Sequence, residues 1–129
     1  MGAEIEHVLR AANEQLADVS GACIDNPAAA KFRWPPCFII APPRGASTLL
    51  QQVLISRFKL GYVSNVMARF WKAPVVGAAV QISIMDPTYI STYRSRYGNT
   101  EGPLEPHEFG WFWRRTLGLA GDDHHITQP

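Results

Sequence analysis

Several features that would place this sequence in a large class of proteins are scarce or missing. It has only two cysteines, Cys23 and Cys37, too few for a disulfide framework or a four-ligand zinc site. No apolar run approaches the roughly 20 residues that cross a bilayer, and the acidic N-terminal stretch is unlike a secretory signal. A formal net charge of +1 argues against a strongly basic nucleic-acid binder. We therefore expect a cytoplasmic protein without a nucleic-acid or membrane partner.

Acidic residues are also missing from the middle of the chain. None occurs between Asp25 and Asp86, a stretch that contains seven Lys and Arg residues. Such asymmetry can mark an anion-binding face on a protein of nearly neutral charge. Solvated basic side chains gathered by chance are the alternative interpretation.

What remains is an ordinary globular composition, with 47% apolar and 18% charged residues. We expect one domain over residues 1–129. Apolar residues recur at helical spacing over residues 4–19, which predicts an amphipathic helix that ends near Ser20-Gly21.

A strand–turn–helix unit is predicted over residues 36–58. The continuous apolar run Cys37–Ala41 is typical of a strand buried on both faces of a parallel sheet. A tight loop follows, and Ser47 can cap a helix that runs to about Phe58. The fold class predicted from this unit is α/β, a P-loop-type three-layer fold with a partial parallel sheet.

Three later segments are less distinctive. Residues 62–71 are predicted to be helical or mixed, and residues 75–85 fit a helix or a strand equally well. Residues 106–117 are predicted to form a helix that begins at Pro106 and ends before Gly118.

The loop before the second helix carries groups suited to gripping an anion. Arg44 offers a planar cation with several donors, and Ser47 and Thr48 offer hydroxyls. Gly45 and Ala46 let an anion approach the backbone N–H groups of the helix start. Three interpretations stay open here: a nucleoside-triphosphatase loop, which lacks its Lys in this sequence; a turn without a ligand; and a loop for a sulfate donor.

Three segments in order resemble PAPS-dependent sulfotransferases of the bacterial type, where PAPS is 3′-phosphoadenosine 5′-phosphosulfate. Residues 43–50 (PRGASTLL) resemble the P-R-S-G-T-T-L-L loop that binds the donor's 5′-phosphosulfate. Residues 68–71 (ARFW) and 98–113 (GNTEGPLEPHEFGWFW) resemble further segments of bacterial members. The resemblance spans roughly residues 36–115.

The resemblance implies a function and a site. Arg44, Gly45, Ala46, Ser47 and Thr48 would hold PAPS as a co-substrate, and Arg44 would stabilise charge on the leaving group. A sulfuryl group would pass to a hydroxyl or amine of a small-molecule or carbohydrate acceptor. The family uses no metal.

A base that takes the acceptor's proton is also implied. The candidate bases are His107, Glu108, Glu105 and Glu101, of which His107 and Glu108 are preferred. The catalytic residues implied are therefore Arg44, His107 and Glu108.

Two departures from the family pattern matter. The family's Ser-Gly pair is Gly45-Ala46 here, and the Arg that grips the donor's 3′-phosphate is missing before Asp86-Pro87. The sequence is thus expected to be the N-terminal portion of a sulfotransferase, incomplete and able to self-associate into a homo-oligomer. A P-loop nucleotide-dependent kinase or hydrolase and a non-catalytic anion-binding fragment are the alternative functions.

Overall fold

The computed structural model describes residues 2–25, 35–42, 45–110, 112–113 and 117–118, and the account below concerns these residues. It is mostly helical. Its helices include α1 (Gly2–Ile24), α2 (Ser47–Arg57), α3 (Asn65–Ala68) and α4 (Pro74–Ile84), and residues 110 and 112–113 are also helical. Two strands, β1 (Ser95–Arg96) and β2 (Asn99–Thr100), pair antiparallel around a turn that contains Gly98.

The predicted α/β fold with a partial parallel sheet is wrong. Over the described residues the only sheet is the β1–β2 hairpin, and residues 37–41 form no strand. Phe38 and Ile40 are 64% and 95% exposed. An apolar run becomes a buried strand only where neighbouring strands pair with its backbone and helices cover its faces. No strand of the described chain pairs with this segment, and the contact of Phe38 with the Trp113 ring, 5.8 Å between centroids, leaves Phe38 mostly exposed.

Helix α1 confirms the predicted N-terminal helix but extends past Ser20 and Gly21. It packs on α4, and buried polar side chains link it to the chain before α4 and to the first turn of α4. The Asn13 amide donates to the carbonyl of Arg69 at 2.8 Å and accepts the N–H of Lys72 at 2.9 Å. Ser20 Oγ accepts the N–H of Val75 at 3.2 Å. Asn13 and Ser20 are buried, and these hydrogen bonds satisfy their polar side chains. Ser20 is therefore accommodated inside the helix rather than at its end.

Helices α3 and α4 pack closely against each other. Ser64 caps α3 by accepting the N–H of Met67 at 3.2 Å. A side chain at Gly77 would come within 2.8 Å of the Met67 carbonyl oxygen, so only glycine permits this approach. For residues 75–85, where helix and strand stayed open, the structure shows the helix α4.

The chain from Pro103 to His107 is a turn at residues 103–104 followed by irregular chain, rather than a helix. Ser64 and Pro106 form a β-bridge, and the N–H of His107 donates to the Val63 carbonyl at 2.8 Å. The predicted helix start at Pro106 is therefore wrong, because tertiary hydrogen bonds hold this run in place. The buried apolar residues of the described chain are few: Ala68, Ala73, Leu104 and Phe109.

Candidate functional site

Helix α2 begins at Ser47, where the sequence predicted it, after a constrained turn. The Gly45 N–H donates to the Pro42 carbonyl at 3.0 Å. A Cβ on Gly45 would lie 2.8 Å from that same oxygen, so a larger residue would strain the turn. Pro43 and Arg44 lie outside the described residues.

Ala46 adopts the left-handed conformation, with φ 59° and ψ 22°. It occupies the position at which the resembling family has glycine. An L-residue with a Cβ is strained in this region by roughly 1–2 kcal/mol. The backbone thus retains a conformation that glycine favours, although the residue is alanine.

The sequence predicted that Ser47 caps α2, and this prediction is wrong: Ala46 occupies the N-cap position, and no side chain caps the helix. The Ser47 hydroxyl donates to Glu108 Oε1 at 3.1 Å, and the Thr48 hydroxyl donates to the same oxygen at 2.9 Å. The two predicted donor-binding hydroxyls therefore meet Glu108, one of the predicted catalytic residues, across about 60 residues of sequence. The β1–β2 turn also lies here, because a Cβ on Gly98 would be 3.8 Å from Thr48 Oγ1.

His107, another candidate base, is half-buried, and its ring contacts the backbone of its own segment. Its Nδ1 accepts the N–H of Phe109 at 2.8 Å, which places the proton of a neutral ring on Nε2. Burial lowers the pKa of His107, and the positive charge of Arg69 lowers that pKa further, against a smaller opposing effect of Glu108. A neutral imidazole with Nδ1 occupied is a donor at Nε2. Glu108 is therefore the better placed base.

The backbone beside Glu108 is strained. Phe109 is buried and has φ 54°, an uncommon conformation for a bulky residue. Strain of this kind persists only where surrounding contacts impose it, and it clusters at functional sites. Here the Phe109 N–H on His107 Nδ1 is one such contact.

Sequence reasoning placed Glu105 among the candidate bases, but the structure buries it completely. Four donors saturate its two oxygens: Gln52, Ser91, Tyr89 and the N–H of Thr92. Desolvation pushes the pKa of Glu105 upward, but these hydrogen bonds outweigh it and hold the pKa below its usual range. Glu105 has no lone pair directed to a ligand, so it is unsuited to be the base.

Gln52 was missed by the sequence analysis altogether. The apolar side chains of Leu49, Leu50 and Val53 share one face of α2 by their spacing, yet they are exposed and Gln52 is buried. A glutamine inside an apolar helical pattern was the available signal. Gln52 faces inward because its amide donates to the buried carboxylate of Glu105 at 2.9 Å.

No group of three or more His, Cys, Asp or Glu within the described ranges is arranged to hold a metal ion. No helix there has the length and apolar character needed to cross a membrane. Comparisons with protein-family models, curated proteins and solved structures found no match.

Proposed function

We propose that the start of α2 and Glu108 form the donor site of a sulfotransferase-like protein that uses PAPS as co-substrate. The observation that carries the proposal is the convergence of segments that resemble the family. The loop residues Ser47 and Thr48 contact Glu108 of the third segment. Arg69 of the second segment acts electrostatically on His107 of the third. Separate in sequence, the three segments assemble into one region.

The proposed chemistry is an in-line transfer of the sulfuryl group. Glu108 takes the proton from an acceptor hydroxyl or amine as that atom bonds to sulfur. The bond from sulfur to the bridging phosphate oxygen breaks, and adenosine 3′,5′-bisphosphate leaves. Backbone N–H groups at the α2 start, together with Arg44, stabilise the charge that develops on the leaving oxygen.

The hydrogen bonds seen at the α2 start define what donor binding requires. Each hydroxyl has one proton to donate, and both protons are directed to Glu108 Oε1. A bound phosphosulfate would take these two donors and leave the Glu108 carboxylate free of them. The same step would thus bind the donor and release the base.

Calorimetric titration with adenosine 3′,5′-bisphosphate and, separately, with ATP–Mg²⁺ tests the proposal. We expect the bisphosphate to bind and ATP–Mg²⁺ not to bind. The opposite result would favour a nucleotide-dependent kinase or hydrolase. A folded protein that binds neither would be a fragment without this function.

Variants locate the site. Thr48→Val removes one proposed donor and should weaken bisphosphate binding about tenfold, while Arg44→Ala should weaken it at least 30-fold. Thr88→Val is the matched control, because the exposed Thr88 hydroxyl also donates to a carboxylate, that of Asp86, at 2.7 Å. If Thr48→Val and Thr88→Val bind the bisphosphate equally well, the start of α2 is not part of the binding site.

The acceptor class, the cytoplasmic location and self-association remain predictions of the same proposal. A hydroxyl or amine on a small molecule or carbohydrate fits the exposed position of Glu108.

A further inference from the structure

Glu105 is a buried carboxylate whose partners are neutral donors. Gln52 Nε2 and Ser91 Oγ donate to its Oε2 at 2.9 and 2.7 Å, and the Tyr89 hydroxyl and Thr92 N–H donate to its Oε1 at 2.6 and 2.5 Å. A buried charge is tolerated when all its lone pairs are satisfied in this way. One side chain therefore joins α2, the 89–92 segment and the run of residues 103–107 that contains Glu105.

The 103–107 run is fixed on its other side by the chain before and within α3. The carbonyls of Pro103 and Glu105 accept the N–H groups of Val66 and Asn65, each at 2.9 Å. The Tyr62 hydroxyl donates to the Leu104 carbonyl at 2.7 Å. The run therefore has a defined position up to the residue before Glu108.

Three hydrogen bonds connect α2 with this run and the adjoining Glu108: those from Ser47 and Thr48 to Glu108, and that from Gln52 to Glu105. Gln52 follows Thr48 by one helical turn, so the two side chains lie on the same face of α2. Thr48 contacts Glu108 and Gln52 contacts Glu105. The Gln52–Glu105 hydrogen bond is buried, whereas the Thr48–Glu108 hydrogen bond is exposed. An exposed hydroxyl–carboxylate bond contributes little stability by itself, so the buried link must fix the distance between the two segments.

We propose that Glu105 is a positioning residue that, through Gln52, holds the Ser47 and Thr48 hydroxyls of α2 against Glu108. Its importance for donor binding rests on the proposed function, but its effect on the Thr48–Glu108 contact does not. Glu105 itself touches no ligand in this scheme.

A spectroscopic test uses the side-chain carboxyl ¹³C resonance of Glu108 in the full chain. Thr48→Val should shift this resonance in the wild type, because the carboxylate loses a donor. In a Gln52→Leu background the same Thr48→Val change should leave the resonance unmoved, because the contact is already lost. Gln52→Leu is preferred to Glu105→Ala, since Glu105 keeps three of its donors and the fold is better preserved.

Asn13→Leu provides the control background. Asn13 is as buried as Gln52 and also joins two segments through its amide, but it connects α1 to residues 69–72. The Thr48→Val shift should persist in this background, which separates positioning from general destabilisation. A shift of equal size in the Gln52→Leu background, or no shift in the wild type, would overturn the proposal.

Titration with adenosine 3′,5′-bisphosphate tests whether this positioning matters for donor binding. Gln52→Leu should weaken binding about as much as Thr48→Val does, roughly tenfold, and Asn13→Leu should not. If the wild type fails to bind the bisphosphate, the proposed function is wrong, and the resonance experiment still decides the role of Glu105.

Discussion

The Thr48 hydroxyl donates to Glu108 Oε1 at 2.9 Å, although 60 residues separate the two in sequence. The contact places a negative charge at the helix end that attracts anions, since the α2 N-terminus carries partial positive charge. Glu108 is therefore both a stabilising neighbour of α2 and an electrostatic competitor of any anion that binds there.

Replacing Glu108 by glutamine should separate donor binding from transfer. Two unit charges about 4 Å apart in water interact by about 1 kcal/mol, so Glu108→Gln should tighten adenosine 3′,5′-bisphosphate binding about fivefold. Sulfuryl transfer from PAPS, followed as bisphosphate release with a panel of hydroxyl and amine acceptors, should fall by about 10²–10⁴ if Glu108 is the base.

Glu101→Gln is the control for that experiment. Glu101 is an exposed carboxylate of the same resembling segment, and it should affect neither binding nor transfer to a similar degree. Weaker bisphosphate binding by Glu108→Gln would mean that the carboxylate supports the anion site rather than competing for it.

Ala46→Gly should stabilise the protein slightly. Glycine relieves the strain of φ 59° at this position, roughly 1–2 kcal/mol, but increases the entropy of the unfolded chain by roughly 0.5–1 kcal/mol. The expected net gain in the free energy of unfolding, measured in urea, is up to about 1 kcal/mol. Ala79→Gly, in the exposed interior of α4, should instead lose about 1 kcal/mol. Similar losses in both variants would show that Ala46 is not strained.

The start of α2 was predictable from sequence, whereas its orientation was not. A Gly-Ala-Ser turn after an apolar run indicates where a helix begins, and that prediction is confirmed. Helical spacing also places Leu49, Leu50 and Val53 together, but spacing cannot tell whether another element covers them. The buried face of α2 depends instead on Gln52 and Glu105, 53 residues apart.

The same limit explains the missing sheet. The run from Cys37 to Ala41 has the composition of a buried strand, but a strand exists only through its neighbours. The contact between Ser47, Thr48 and Glu108 could be predicted only through a family resemblance, since no local pattern joins positions so far apart. Glu105 in turn stands in a polar sequence run that suggests exposure, and its burial depends on donors from distant segments.

Because the pKa of His107 is lowered in the folded protein, we expect the free energy of unfolding to be smaller in mild acid than at neutral pH. Burial and the charge of Arg69 lower that pKa, although Glu108 opposes them. An unfolded histidine titrates near pH 6.5, so the unfolded chain takes up this proton first as the pH falls. The stability due to neutral His107 is therefore present above about pH 6.5 and is lost as the pH falls toward the folded pKa.

Urea unfolding at pH 7, 6 and 5 measures this effect. His107→Asn should flatten the pH dependence, because asparagine does not titrate while its Oδ1 can still accept the Phe109 N–H. A slope unchanged by His107→Asn would assign the acid sensitivity to other groups.

Ile40→Lys should reduce self-association. Ile40 is 95% exposed in an apolar segment without regular secondary structure, and no strand of the described chain pairs with that segment. Such a segment is a template for pairing with a second copy. Covering one isoleucine side chain contributes about 2 kcal/mol, so the lysine variant should weaken association roughly 30-fold in sedimentation experiments. Ile90→Lys alters a side chain that is 66% exposed elsewhere and should leave association unchanged. If the wild type stays monomeric at high concentration, or if both variants weaken association equally, this segment is not the contact surface.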